Sequence, residues 1–125
     1  MAAGLAVATA NARLNTYRGV TLTGVSVFAK LHTGDPGAAG TANASAVTTR
    51  NAVTWSAASG GSMTLSSLAA YSMTTSETIT HISLWDASSG GNFLESAALT
   101  AGVPVINGST LTVNTLTVAL TPIAA

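Results

Sequence analysis

Four side chains in this sequence could hold a metal or move a proton, His32, Asp35, His81 and Asp86, and their spacing decides what they can do. A histidine pair with carboxylates suits zinc. Here His32 and Asp35 flank a Thr-Gly-Asp-Pro-Gly turn while His81 sits inside an apolar run, so spacing alone assembles no tetrahedral set. The reading that remains is structural: each histidine bonds a strand neighbour, and Asp35 and Asp86 fold their own turns. Replacing both histidines by Gln is then expected to change folding and assembly little. Serine is abundant, but no Gly-x-Ser-x-Gly elbow is present to expose a nucleophile, so a Ser-His-Asp assignment has no content. Glu77 and Glu95 flank an apolar hairpin, where strand-end carboxylates ordinarily face solvent or a cation. Gly90-Gly91 precedes no helix and cradles no phosphate. Trp55 and Trp85 are the aromatic surfaces on which a sugar could stack, with burial in the core as the stronger competing use. No catalytic, cofactor-binding or metal residue is assigned, and no cofactor is expected.

The elements that would position these residues centre on Thr78 to Leu94. Ile79, Ile82, Leu84 and Trp85 precede a polar knot, Asp86-Ala87-Ser88-Ser89-Gly90-Gly91, and Phe93 and Leu94 follow it, which is hairpin composition. Ile79 and Trp85 share one parity, Ile82 and Leu84 the other, so this strand is expected to be covered on both faces. Upstream, Val25, Val27, Ala29 and Leu31 alternate with Ser26, Phe28, Lys30 and His32 in a strand that ends at Asp35-Pro36-Gly37. The loop from Gly34 to Ser45 has only small side chains. It is expected to be ordered by something packing on it, with Gly34, Asp35, Pro36 and Gly37 as contact residues. Further strands are expected over 48–55, around Met63 and Leu65, through Leu68, Ala70 and Ser72, and from Val103 to Ile106. Asn107-Gly108 then signals a hairpin, and a last strand over 109–121 changes apolar parity near Asn114, which requires a bulge.

The N-terminus reads as a helix from about Ala3 to Arg18 that Gly19 can end, with Val7, Ala10, Leu14 and Tyr17 on one narrow apolar stripe. So thin a stripe on so short a helix must dock on something, its own sheet or a neighbouring subunit. Val7, Leu14 and Tyr17 are therefore the expected interaction residues of the helix. Ala8-Thr9-Ala10 resembles a signal-peptidase site, but no Lys or Arg precedes it, and the segment is expected to be retained.

Composition sharpens the functional reading. Only 6% of the 125 residues are charged, the net charge is zero, and there is no cysteine. Together with a mean hydropathy of +0.47, this leaves little electrostatic repulsion between copies. The chain is expected to be a subunit of a closed ring such as a trimer. Arg13, Arg18, Lys30 and Arg50 form no basic stripe, which argues against nucleic acid, and no apolar run is long enough to span a membrane. The expected architecture is mainly β: an antiparallel β-sandwich, jelly-roll-like, over residues 20–125, with one N-terminal helix over 1–19, in a single domain.

The segment LHTGDPGAAGTANAS, then TTRNAVTW, ASGGSM, THISLWDASSGGNFL and LTVNTLTVALT, resembles small minor tail or tail-fibre virion proteins of tailed bacteriophages, a group common in phages of actinobacteria. The resemblance implies a non-enzymatic particle component assembled in the host cytoplasm, and it supplies no catalytic residue. Its expected partners are copies of itself and other virion proteins of the tail or, alternatively, of the capsid as a decoration protein. A module binding host surface glycan through Trp55, Trp85 or the Gly34 to Ser45 loop is a further alternative. An enzyme acting on cell-wall polymer has no credible catalytic pair.

Overall fold

The apolar run from Ile79 to Trp85 becomes the strand on which the sheet is built. The computed structural model describes residues 4–21, 26–113 and 117–119. These form one helix, α1 (Val7–Asn15), prolonged by a 3-10 turn (Thr16–Arg18), and the strands β1 (Val27–His32), β2 (Asn51–Trp55), β3 (Ser62–Leu68), β4 (Tyr71–Ser72), β5 (Glu77–Trp85), β6 (Phe93–Val105), β7 (Thr110–Leu111) and β8 (Thr117–Ala119). Every pairing is antiparallel. A six-stranded sheet has the order β6-β5-β1-β2-β3-β8, and β4 and β7 make a separate two-stranded ribbon. The mainly β, antiparallel architecture with one N-terminal helix is thus the expected one, its second layer being small.

The core lies between the two layers. Ala29 and Leu31 of β1, Val53 of β2, Ile82 and Leu84 of β5 and Val105 of β6 cluster with Tyr71 and Met73 from the ribbon side. Tyr71 ties the layers covalently distant in sequence: its hydroxyl donates to the Ala29 carbonyl oxygen at 2.5 Å. Residues 82 to 85 are all buried, so β5 is covered on both faces as expected. Ile79, however, belongs to the same core cluster as Ile82 and Leu84, not to the face of Trp85. The register explains this, since Ile79 pairs with Val103 but His81 pairs with Ala98, and the strict alternation is broken where β6 carries extra residues.

Other sequence expectations are adjusted in the same way. Ser66 is bulged between Ser67, which faces Thr54, and Leu65, which faces Trp55, so Leu65 and Leu68 both reach the core margin despite opposite parity. At the next turn Tyr71 is buried and Ala70 exposed, the reverse of the expected alternation. Val103 to Ile106 is no separate strand, because β6 runs unbroken through Ala101 and Gly102 to Val105. The Asn107-Gly108 turn closes with Ser109 N–H on the Ile106 carbonyl at 3.0 Å, yet its flanking strands do not pair with each other. It passes the chain from the large sheet to the ribbon, where Tyr71 faces Leu111. The expected last strand is divided between the ribbon (β7) and the large sheet (β8), and the expected bulge at Asn114 lies outside the described residues.

At the N-terminus the helix is shorter than expected. Residues 4–6 are extended and pair with the outer edge of β6: Ala6 N–H donates to the Leu94 carbonyl at 2.8 Å and Ser96 N–H to the Gly4 carbonyl at 2.8 Å. Gly19, with φ +82°, ends the 3-10 turn in the left-handed conformation that only glycine adopts freely.

Candidate functional site

Two loops meet over the face of the sheet that points away from the ribbon. Residues 33–50 connect β1 to β2, and residues 86–92 connect β5 to β6. Beneath them runs a chain of hydrogen bonds whose direction follows from chemistry. The Ala42 carbonyl can only accept, so His32 Nδ1 carries the proton and donates to it at 2.9 Å. His32 Nε2 is then the acceptor, receiving the Ser83 hydroxyl at 2.7 Å. Ser83 Oγ in turn accepts the Trp85 indole N–H at 2.7 Å. His32 is fully buried and neutral: burial pushes its pKa below the usual histidine value, the nearby Lys30 and His81 add to the effect, and the bond to Ala42 opposes it.

Arg50 closes the hairpin side. Its guanidinium lies 3.9 Å from the Trp85 ring centroid, and its Nη1 donates to the carbonyls of Ala87 at 3.1 Å and Gly90 at 2.6 Å. Asp86 accepts the Asn92 backbone N–H at 2.6 Å and its side-chain amide at 3.0 Å, which holds the Asp86 carboxyl below its ordinary pKa. Phe93 packs on Trp85 with ring centroids 5.5 Å apart. Gly40 of the other loop presses on Phe93 so closely that a Cβ would sit 2.5 Å from the ring, and its φ of +73° also requires glycine.

The Gly34 to Ser45 loop is ordered by its own bonds, contrary to the expectation that an outside surface must pack on it. Asp35 Oδ1 accepts the Gly37 N–H at 2.8 Å, and the Asp35 carbonyl accepts from Asn43 Nδ2 at 2.9 Å. Ala42 N–H donates to the Pro36 carbonyl at 3.0 Å, and Thr33 N–H to the Asn43 carbonyl at 2.8 Å. Pro36 is fully buried and Gly34 lies against Asn43, so the four residues singled out here form the loop's inner frame; its exposed tip is Ala38, Ala39 and Thr41. Glu77 secures the far end, accepting the Ser45 hydroxyl on Oε2 and the Ala46 N–H on Oε1 at 3.3 Å.

The chemistry considered from the sequence is now placed. His32 and His81 are cross-strand neighbours, a juxtaposition that spacing did not reveal. Both His32 nitrogens are bonded and His81 Nδ1 shares a hydrogen bond with Thr80 at 2.8 Å. Among the described residues, no three His, Cys, Asp or Glu side chains come together. Glu77 and Glu95 face Val105 and Leu84, seven positions apart along β5. At about 3.3 Å per residue that is roughly 23 Å, too far for paired acids that work within about 10 Å. Trp85 is 6% exposed and enclosed by Arg50 and Phe93, so its ring offers no sugar platform. Trp55 is half-buried against the core cluster. Arg50 and Ser83 escaped the sequence reading, because their importance comes from cross-strand register.

His32→Gln should therefore cost on the order of 1–3 kcal/mol by leaving the Ala42 carbonyl or the Ser83 hydroxyl without its partner, whereas His81→Gln should cost little. This corrects the expectation that both substitutions are neutral. The pH dependence carries the same signature. With its folded pKa below the ordinary value, His32 contributes stability that is complete above about pH 6.5 and is lost as pH falls, since the unfolded chain takes up the proton first. Urea unfolding at pH 7.5 and pH 5 should show this loss in the parent and a smaller one in His32→Gln.

The N-terminal helix presents the other candidate surface. None of its side chains is buried, and the residues expected to make contacts, Val7, Leu14 and Tyr17, are 75%, 62% and 91% exposed. Leu5 and Val20 add to this apolar surface. Among the described residues no helix is long and apolar enough to cross a membrane.

A family model described as podophage GP4 fiber I protein gp80 matches residues 4–121, which takes in the helix, both loops and all the described strands. No curated protein matches the chain.

Proposed function

From the premise that the chain belongs to the podophage GP4 fiber I protein gp80 family, we propose that it is a structural subunit of a phage tail, at the fibre or tail tip, assembled with copies of itself as a trimer and with other virion proteins. It does no catalysis and needs no cofactor. The subunit is assembled in the host cytoplasm, and the sequence resemblance points to phages of actinobacteria. The observation that carries the reading is α1 with its 3-10 extension, a helical segment on a β domain that leaves Val7, Leu14 and Tyr17 open to water. Apolar area of this kind is normally buried against a partner, and a surface with so few charges does little to keep copies apart. The loop framed by Gly34, Asp35, Pro36 and Gly37 enters as a second contact element through its exposed tip.

Light scattering on the full chain should report an oligomer, and removal of residues 2–18 should leave a folded β domain that is monomeric. The core supports this, since it draws no residue from α1. A monodisperse parent monomer at high micromolar concentration would overturn the reading. So would a truncated protein that still forms the parent oligomer.

A further inference from the structure

We infer that Asn107 is a site of spontaneous deamidation which the fold guards, by holding the amide that would attack its side chain against the Met73 carbonyl. The reaction needs no enzyme, and water is its only co-reactant. The Gly108 nitrogen bonds the Asn107 side-chain carbonyl carbon, the bond from that carbon to Nδ2 breaks, and ammonia leaves carrying the proton that Gly108 gave up. Water then opens the resulting cyclic imide at either carbonyl, giving aspartate or, where the main chain is rerouted through the side-chain carbon, isoaspartate.

Sequence and surface single out this position. Asn107 is the one asparagine in the chain that precedes glycine, which has no side chain to hinder the attack. Asn107 and Gly108 are both exposed, and nothing lies within 4 Å of where a Gly108 Cβ would stand, so water reaches the turn. Asn15, Asn43, Asn51 and Asn92 instead precede bulkier residues, and their side chains are engaged in hydrogen bonds.

What opposes the reaction is a bond of the attacking nitrogen itself. Gly108 N–H donates to the Met73 carbonyl at 2.9 Å, and Met73 is a core residue, 2% exposed. An amide held in this way can neither give up its proton nor swing toward the Asn107 side chain until it parts from its acceptor. The surrounding turn is pinned as well. Met73 N–H donates to the Ser109 carbonyl at 2.8 Å and Asn107 N–H to Ser76 Oγ at 3.3 Å. Ser109 Oγ accepts the Ile106 N–H at 3.2 Å and donates to the Ile106 carbonyl at 2.7 Å. Deamidation therefore waits for this joint between β6 and β7 to open. Once formed, isoaspartate puts an extra methylene into the main chain and a new carboxylate beside it, so the turn that leads into the ribbon no longer fits its own bonds.

The test follows the peptide containing Asn107 by mass spectrometry after the full chain has stood in mildly alkaline buffer, with or without guanidinium chloride. In denaturant Asn107 should be the first asparagine converted. In native buffer its conversion should be slower by roughly tenfold or more, the protection expected when a hydrogen-bonded turn must open first. Ser109→Ala removes both Oγ bonds, and it should convert several-fold faster than the parent in buffer yet at the parent's rate in guanidinium. Equal parent rates with and without denaturant overturn the guard. A different asparagine converting first in denaturant overturns the site, and a Ser109→Ala protein that keeps the parent's full protection overturns the turn as the element that opens.

Discussion

Trp85→Ala should destabilise the domain by about 3–5 kcal/mol, the range for removing a buried large aromatic. The ring does more than fill volume. It packs on Phe93, carries the Arg50 guanidinium, and supplies the indole N–H that Ser83 Oγ accepts. Its removal therefore takes away the ring under Arg50, the aromatic partner of Phe93 and the donor to Ser83 Oγ in one step. Thermal unfolding should show a fall in Tm of roughly 10–15 °C for a domain of this size. An unchanged Tm would mean that Trp85 is exposed and would return the ring to consideration as a sugar platform. Trp85→Phe should recover much of the packing while still losing the indole donor, which separates the two contributions.

The second large effect is expected at Tyr71. Tyr71→Ala should cost about 3–5 kcal/mol as a buried aromatic lost from the layer interface, and Tyr71→Phe about 1–2 kcal/mol, because only the bond to the Ala29 carbonyl disappears. The hydroxyl has its own pH signature. Burial pushes its pKa up to about 12, so the unfolded chain gives up this proton first. Its contribution is complete below about pH 10 and is lost as pH rises toward 12. Ultraviolet titration should show a late-ionising phenol that Tyr71→Phe removes. A late phenol persisting in that variant would place Tyr71 at the surface.

The parts of this fold legible in the sequence are those where local chemistry and tertiary position agree. The β5–β6 hairpin is one, since an apolar run, a polar Asp-to-Gly-Gly knot and a returning Phe93 allow little else. The helix is another, ended at Gly19 as its backbone freedom suggests. Alternation failed where strands are irregular: a bulge moves Leu68 to the side of Leu65, and the register break after Ile79 returns that residue to the core. No pattern of side-chain types announces such breaks. The loop over residues 33–46 was misjudged for a related reason. Its order comes from backbone groups, Asp35 and Asn43, the latter at φ +52°, and composition registers only side-chain bulk. Arg50 and Ser83 were invisible because each acts on residues far away along the chain.

The bond chain from Trp85 through Ser83 and His32 to Ala42 also has a kinetic consequence. The Nδ1 proton of His32 is held against a loop carbonyl and shut off from solvent by the loop itself. It can exchange with water only when residues 33–46 lift, whereas the amides of β5 wait for the sheet to open. Imidazole and indole proton lifetimes measured by NMR thus form a pair of clocks, the first timing excursions of one loop and the second timing the hairpin side, while the rest of the domain stays folded.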